Sequence, residues 1–131
     1  MAHHFSAVDE IWHAGDWQQP EILTGLAALG KPLTIVNGNA PDDPSYPLNV
    51  VRRLEGLAIG MVHRPPRPGD DWVRGCDIVI HGHTHRWRDE MVGGTRFINV
   101  STPTAAGFSQ EKTIGILTLS AGKAELERIQ L

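Results

Sequence analysis

Cysteine is almost absent from this chain of 131 residues: Cys76 stands alone, so no internal disulfide can form. No apolar run is long enough to cross a bilayer and no signal peptide is recognisable. These absences lead us to expect a soluble, cytoplasmic protein in which Cys76 is a small buried hydrophobe. Charge of one sign is lacking too. Twelve Lys and Arg against 15 Asp and Glu give a formal charge of -3, without the basic footprint of a nucleic-acid binder. Neither repeats nor low-complexity tracts occur. What is present is the composition of one globular domain spanning residues 1–131, with 40% hydrophobic residues, enough for a core.

Short apolar runs alternate with turn residues. Glu10–His13, Leu33–Val36, Leu57–Val62 and Asp77–Ile80 read as strands. Pro20 to Leu29 reads as a helix, with Pro20 in its first turn and Gly30 as its stop. Three two-residue breaks, Glu55-Gly56, Gly93-Gly94 and Ala121-Gly122, each divide a pair of strand-like runs and predict hairpins. Pro65 to Gly69 reads as a rigid loop. The four tryptophans follow no period; Trp17, beside Asp16, is a candidate wall of a cleft or an ordinary packing residue.

Gly82-His83-Thr84-His85 follows the apolar run Asp77–Ile80. Two imidazoles two residues apart at a strand mouth, behind a glycine that lets the backbone turn, can point into one small volume, and imidazole is the commonest transition-metal ligand. Further oxygen and nitrogen donors recur just after other strand-like runs: Asp16, Asn39 and His63. Asp16, Asn39, His63 and His83 stand 23, 24 and 20 residues apart, about one strand-plus-crossover unit each, so parallel strands would gather them at one edge. Each has a plainer reading alone. Asp and Asn are common in glycine-containing turns, and His63 could be a satisfied core histidine. Their joint occurrence with His83 and His85 favours a metal site.

In this order Gly15-Asp16, Gly38-Asn39, Val62-His63 and Gly82-His83-Thr84-His85 resemble the calcineurin-like metallophosphoesterases, in particular the small bacterial and archaeal phosphodiesterase-like branch. The metal-poor scaffold subunit of the eukaryotic retromer coat is related to that branch. Ile98 to Pro103 stands where the family usually has Asn-Pro-Gly-Ser. The resemblance implies a four-layer α-β-β-α sandwich of two mixed sheets. It also implies that Asp16 bridges two divalent ions, that Asn39, His63 and His83 complete the second site, and that His85 reaches the first. The implied activity is hydrolysis of a phosphodiester or small phosphate ester by metal-activated water, with Asn39 and His83 in catalytic roles. Two ions about 3.5–4 Å apart clamp both attacking and leaving oxygens of phosphoryl transfer. The amide of Asn39 can bind metal through oxygen and donate to phosphate through nitrogen. A mixed carboxylate, amide and imidazole set suits Mn first, with Fe and Zn as alternatives, over Ca.

The family normally opens with a strand ending in Asp-x-His that supplies ligands to the first metal. The segment from Met1 to Asp9 looks like the end of the helix that follows it, so the sandwich is expected to lack its first strand and that motif. His3 and His4 read as a frayed terminus, and His13 as a packing or capping residue. Two functional readings therefore stand side by side: a phosphoesterase, and a catalytically inactive scaffold or interaction module of the same fold. An open strand edge would also favour self-association into a homo-oligomer. Arg64, Arg67, Arg74, Arg86 and Arg88 cluster near the expected site, either facing phosphate or forming a solvated rim.

Overall fold

Period-two alternation of apolar and polar residues, clearest in Asn49–Leu54 and Lys123–Gln130, favours β-strands in this chain. The computed structural model describes residues 8–14, 28–37, 46–84, 86–100 and 113–130. Its strands are β1 (Ile11–His13), β2 (Leu33–Ile35), β3 (Asn49–Leu54), β4 (Leu57–Val62), β5 (Ile78–His81), β6 (Trp87–Val92), β7 (Thr95–Val100), β8 (Thr113–Ser120) and β9 (Lys123–Gln130). The expected helix at Pro20 to Leu29 falls mostly outside the described residues; Ala28 to Gly30 form a turn. One short helix, α1 (Asp71–Arg74), follows the proline-rich loop.

The central sheet has the order β3-β4-β5-β7-β6. Its three middle strands are parallel and its two edges antiparallel, as expected where β3-β4 and β6-β7 are hairpins. β1 and β2 form a parallel pair, and β8 and β9 a third hairpin. All three hairpins turn where the sequence breaks. Glu55-Gly56, Gly93-Gly94 and Ala121-Gly122 have positive φ at both positions, the mirror-image turn whose twist matches that of the flanking strands. A Cβ on Gly94 would meet nothing within 4 Å, yet its φ is +86°. Gly94→Ala should therefore cost ~1–2 kcal/mol through backbone strain alone, read as a lower urea midpoint with an unchanged slope.

The sheet is covered on both faces. On one, Val79 and Phe97 pack with Val73, Cys76 and Trp72 from α1 and its flank. On the other, Ile59, Ile78 and Ile98 meet Trp12 of β1 and Leu117, Leu119 and Leu126 of the β8-β9 hairpin. Arg96 fastens that hairpin: its guanidinium donates to both carboxylate oxygens of Asp89, at 2.7 and 2.8 Å, and to the Ala124 carbonyl at 2.9 Å. Arg128 stacks over Trp87 beside it. The result is an α/β sandwich of mixed sheets, rich in strand. Cys76 is buried as expected, with its thiol donating to the Trp72 carbonyl, and burial raises its pKa. Among the described residues no helix is long and apolar enough to cross a membrane.

Candidate metal centre

Parallel pairing of β4 and β5 sets the site. Val62 lies beside His81, so the two strands end at one level, and the Gly82 N–H donates to the His63 carbonyl at 2.8 Å. The residues that follow emerge side by side. The rings of His63 and His83 meet edge to face, with centroids 5.1 Å apart and planes at 82°. His83 Nδ1 stands 3.3 Å from His63 Nε2.

The protonation pattern of His63 follows from its other neighbour. Its Nδ1 lies 2.8 Å from the carbonyl oxygen of Ala14, just past β1. A carbonyl only accepts, so Nδ1 carries the proton and Nε2 presents its lone pair toward His83. Donation of a ring N–H to a backbone carbonyl is the usual way to orient a metal-ligating imidazole. Two nitrogens held ~2.0–2.1 Å from one tetrahedral ion are separated by about 3.3–3.4 Å, the edge of that tetrahedron. The observed 3.3 Å matches this edge and equally suits a hydrogen bond from His83 Nδ1–H in the metal-free protein. The donor pair thus fits a late divalent ion.

The turn that aims His83 differs from expectation. The positive φ falls on His83 itself, at 70°, and not on Gly82. The Thr84 N–H donates back to the Gly82 carbonyl at 2.9 Å, so His83 is the middle residue of a γ-turn of the rare, strained hand. Gly82 instead permits close approach: a Cβ there would lie 3.4 Å from both Cβ and O of Ala14. Strain of this kind persists only where surroundings enforce it, and it gathers at functional sites. Here one oxygen is gripped from three sides. Besides Thr84 N–H, the Gly82 carbonyl faces Asn99 Nδ2 at 3.3 Å and His81 Nδ1 at 3.1 Å. Asn99 also donates to the Thr84 hydroxyl at 2.9 Å.

His81 and Asn99 point to the same face of the sheet as Phe97, and both are buried. The Arg88 guanidinium lies 3.0 Å from His81 Nε2. Burial holds the His81 pKa below the usual histidine value; the Gly82 hydrogen bond raises it, Arg88 and His63 lower it and Glu90 raises it. Arg88 in turn pairs with Glu90 at 2.6 Å and stacks over Phe97. Neither His81 nor the role of Asn99 was evident from sequence. Their signal is polar residues at inward positions of otherwise apolar strands, one pair beyond the last apolar contact.

Of the expected ligands, His63 and His83 are brought together, while Asp16, Asn39 and His85 lie outside the described residues, as do His3, His4 and Trp17. Among the described residues no group of three or more His, Cys, Asp or Glu could hold a metal. Of the expected arginine cluster, Arg88 turns onto His81, whereas Arg64, Arg67, Arg74 and Arg86 are exposed.

Residues 1–122 match the calcineurin-like phosphoesterase superfamily domain. The chain belongs to this superfamily. A probable metallophosphoesterase of Methanothermobacter thermautotrophicus is 30% identical over 142 residues, covering 96% of this chain and 78% of the relative. An archaeal phosphodiesterase has the same fold, with a TM-score of 0.78 at 20% identity over 99% of this chain and 88% of its own. Zinc-complexed Vps29 of Entamoeba histolytica is similar too, with a TM-score of 0.66 at 22% identity over 98% of this chain and 86% of its own. In this superfamily member His63 and His83 stand just past the ends of two adjacent parallel strands.

Proposed function

We propose that this chain is a metal-dependent phosphoesterase that hydrolyses phosphodiesters or small phosphate esters. The observation that carries the reading is the pair of imidazole nitrogens 3.3 Å apart at the ends of adjacent parallel strands, in a chain of the calcineurin-like phosphoesterase superfamily. In this reading His63 and His83 would hold one divalent ion together with Asp16 and Asn39, and His85 with Asp16 would serve a second. Mn is the first choice of ion, then Fe or Zn. Bound there, such ions lower the pKa of water and offset negative charge on the phosphoryl group. The protein's own contribution is orientation: the Ala14 carbonyl fixes the His63 tautomer, and the γ-turn fixes the His83 ring. The amide of Asn39 is suited to donate to a phosphate oxygen. An open cleft lined by Pro65, Thr84 and Arg86 adjoins the His83 turn; the exposed Arg86 suits an anionic substrate.

The likeness to Vps29 supports a second reading, a scaffold of the same fold that binds protein in place of substrate. One experiment separates the two. Protein purified without chelator should carry at least one divalent ion per chain by elemental analysis and hydrolyse bis-p-nitrophenyl phosphate with stimulation by Mn. Metal-free protein that neither takes up Mn or Zn nor turns over ester would favour the scaffold.

A further inference from the structure

We propose that Arg88 is a positioning residue for this centre: through His81 it fixes the Gly82 carbonyl, and so holds His83 in the strained turn that aims its ring at His63. The chain of contacts has only one self-consistent proton arrangement. A guanidinium donates and never accepts, so the 3.0 Å contact with Arg88 makes His81 Nε2 the acceptor. His81 Nδ1 must then carry the ring proton, and it donates to the Gly82 carbonyl at 3.1 Å. That carbonyl closes the γ-turn on Thr84 N–H around His83. Remove the guanidinium and only the Gly82 carbonyl still selects the Nδ1–H form, so the ring can swing and mix in the other tautomer, whose Nδ1 lone pair would repel that carbonyl.

Arg88 itself has little freedom. Its Nε donates to Glu90 Oε1 at 2.6 Å, and its guanidinium lies over the Phe97 ring, 4.6 Å from the centroid. The register explains why this residue and no other does the work. β6 runs antiparallel to β7 with Arg88 opposite Asn99, and β5 lies on the other side of β7. The side chain of Arg88 therefore reaches across Phe97's strand to His81. Two independent arms thus converge on one carbonyl, Asn99 from β7 and Arg88 with His81 from β6 and β5. The metal arm of this inference rests on the functional reading above; the tautomer and the turn do not.

The test uses the full chain. In metal-free protein near neutral pH, long-range proton–nitrogen correlation should show His81 as the Nδ1–H tautomer. In Arg88→Met, which keeps an apolar stem over Phe97, that tautomer should be lost or mixed and the Thr84 amide should exchange faster with solvent. Zinc affinity should fall by ~10–100-fold, the usual effect of losing a residue that orients a ligand. Arg88→Lys, which restores a donor, should recover part of both. Wild-type His81 in the Nε2–H form would overturn the proposal. So would Arg88→Met with unchanged tautomer, or with a changed tautomer but wild-type zinc affinity. Wild-type protein that takes up no zinc would overturn the metal reading, while His81 tautomer and Thr84 exchange still decide the positioning role. If Arg88→Met does not fold, the wild-type tautomer and Arg88→Lys, which should keep it, decide in its place.

Discussion

Replacing His83 with alanine should abolish most metal-stimulated hydrolysis while leaving the fold in place. The imidazole is half-buried in a turn outside every strand, so its removal opens no core cavity. What disappears is one of two nitrogens that converge at 3.3 Å, and His63 Nε2 loses the partner toward which its tautomer is set. Loss of a single charge-stabilising donor commonly costs ~10²–10³ in rate, and loss of a ligand should cost at least that. Two measurements check the expectation: turnover of bis-p-nitrophenyl phosphate with added Mn, and metal content after dialysis. His63→Ala should behave alike in both. It should also destabilise the fold more, because His63 is 4% exposed and ties β4 to the end of β1 through the Ala14 carbonyl. Robust Mn-stimulated turnover surviving His83→Ala would place the chemistry elsewhere.

The parts of this site that were legible in sequence are those governed by short-range rules. Short continuous apolar runs bounded by turn residues, such as Leu57–Val62, suit buried strands by their length, and Gly93-Gly94 suits a tight turn because glycine takes positive φ without strain. His63 and His83 were legible as a pair because each stands within three residues of the end of such a run, and parallel strands end together. The γ-turn was not. Glycine is the usual residue at positive φ, so the turn was expected at Gly82, whereas packing of Gly82 against Ala14 leaves His83 to take the strained angle. That exchange is a tertiary effect. His81 escaped notice for a related reason: it continues the inward alternation of β5 past Val79, and only the register with β7, and β7 with β6, reveals Arg88 as its partner. Helix α1 was missed because four residues carry too little periodicity to stand out, and Asp70 gives it no side-chain cap.

The largest loss of stability should come from Phe97→Ala. Phe97 is fully buried and sits at the middle of the cluster formed by Val73, Cys76 and Val79, with Trp72 and Val92 packed against it. Its strand is hydrogen-bonded on both sides, to β5 and to β6, so the backbone has little room to collapse into the space left by the ring. Truncation of a buried phenylalanine costs ~3–5 kcal/mol where the cavity stays open, against a total stability of ~5–15 kcal/mol for a domain. Urea unfolding should register this as a sharp drop in midpoint. A second consequence sets this position apart from other core residues. The ring is also the shelf on which the Arg88 guanidinium rests, so its loss should free Arg88 to leave His81 for solvent. Phe97→Leu separates the two effects. A leucine fills more of the cavity and should recover part of the stability, but it offers no aromatic face to a cation. If packing were the whole of its role, zinc affinity in Phe97→Leu would match wild type; we expect it to fall in the same direction as in Arg88→Met, and by less.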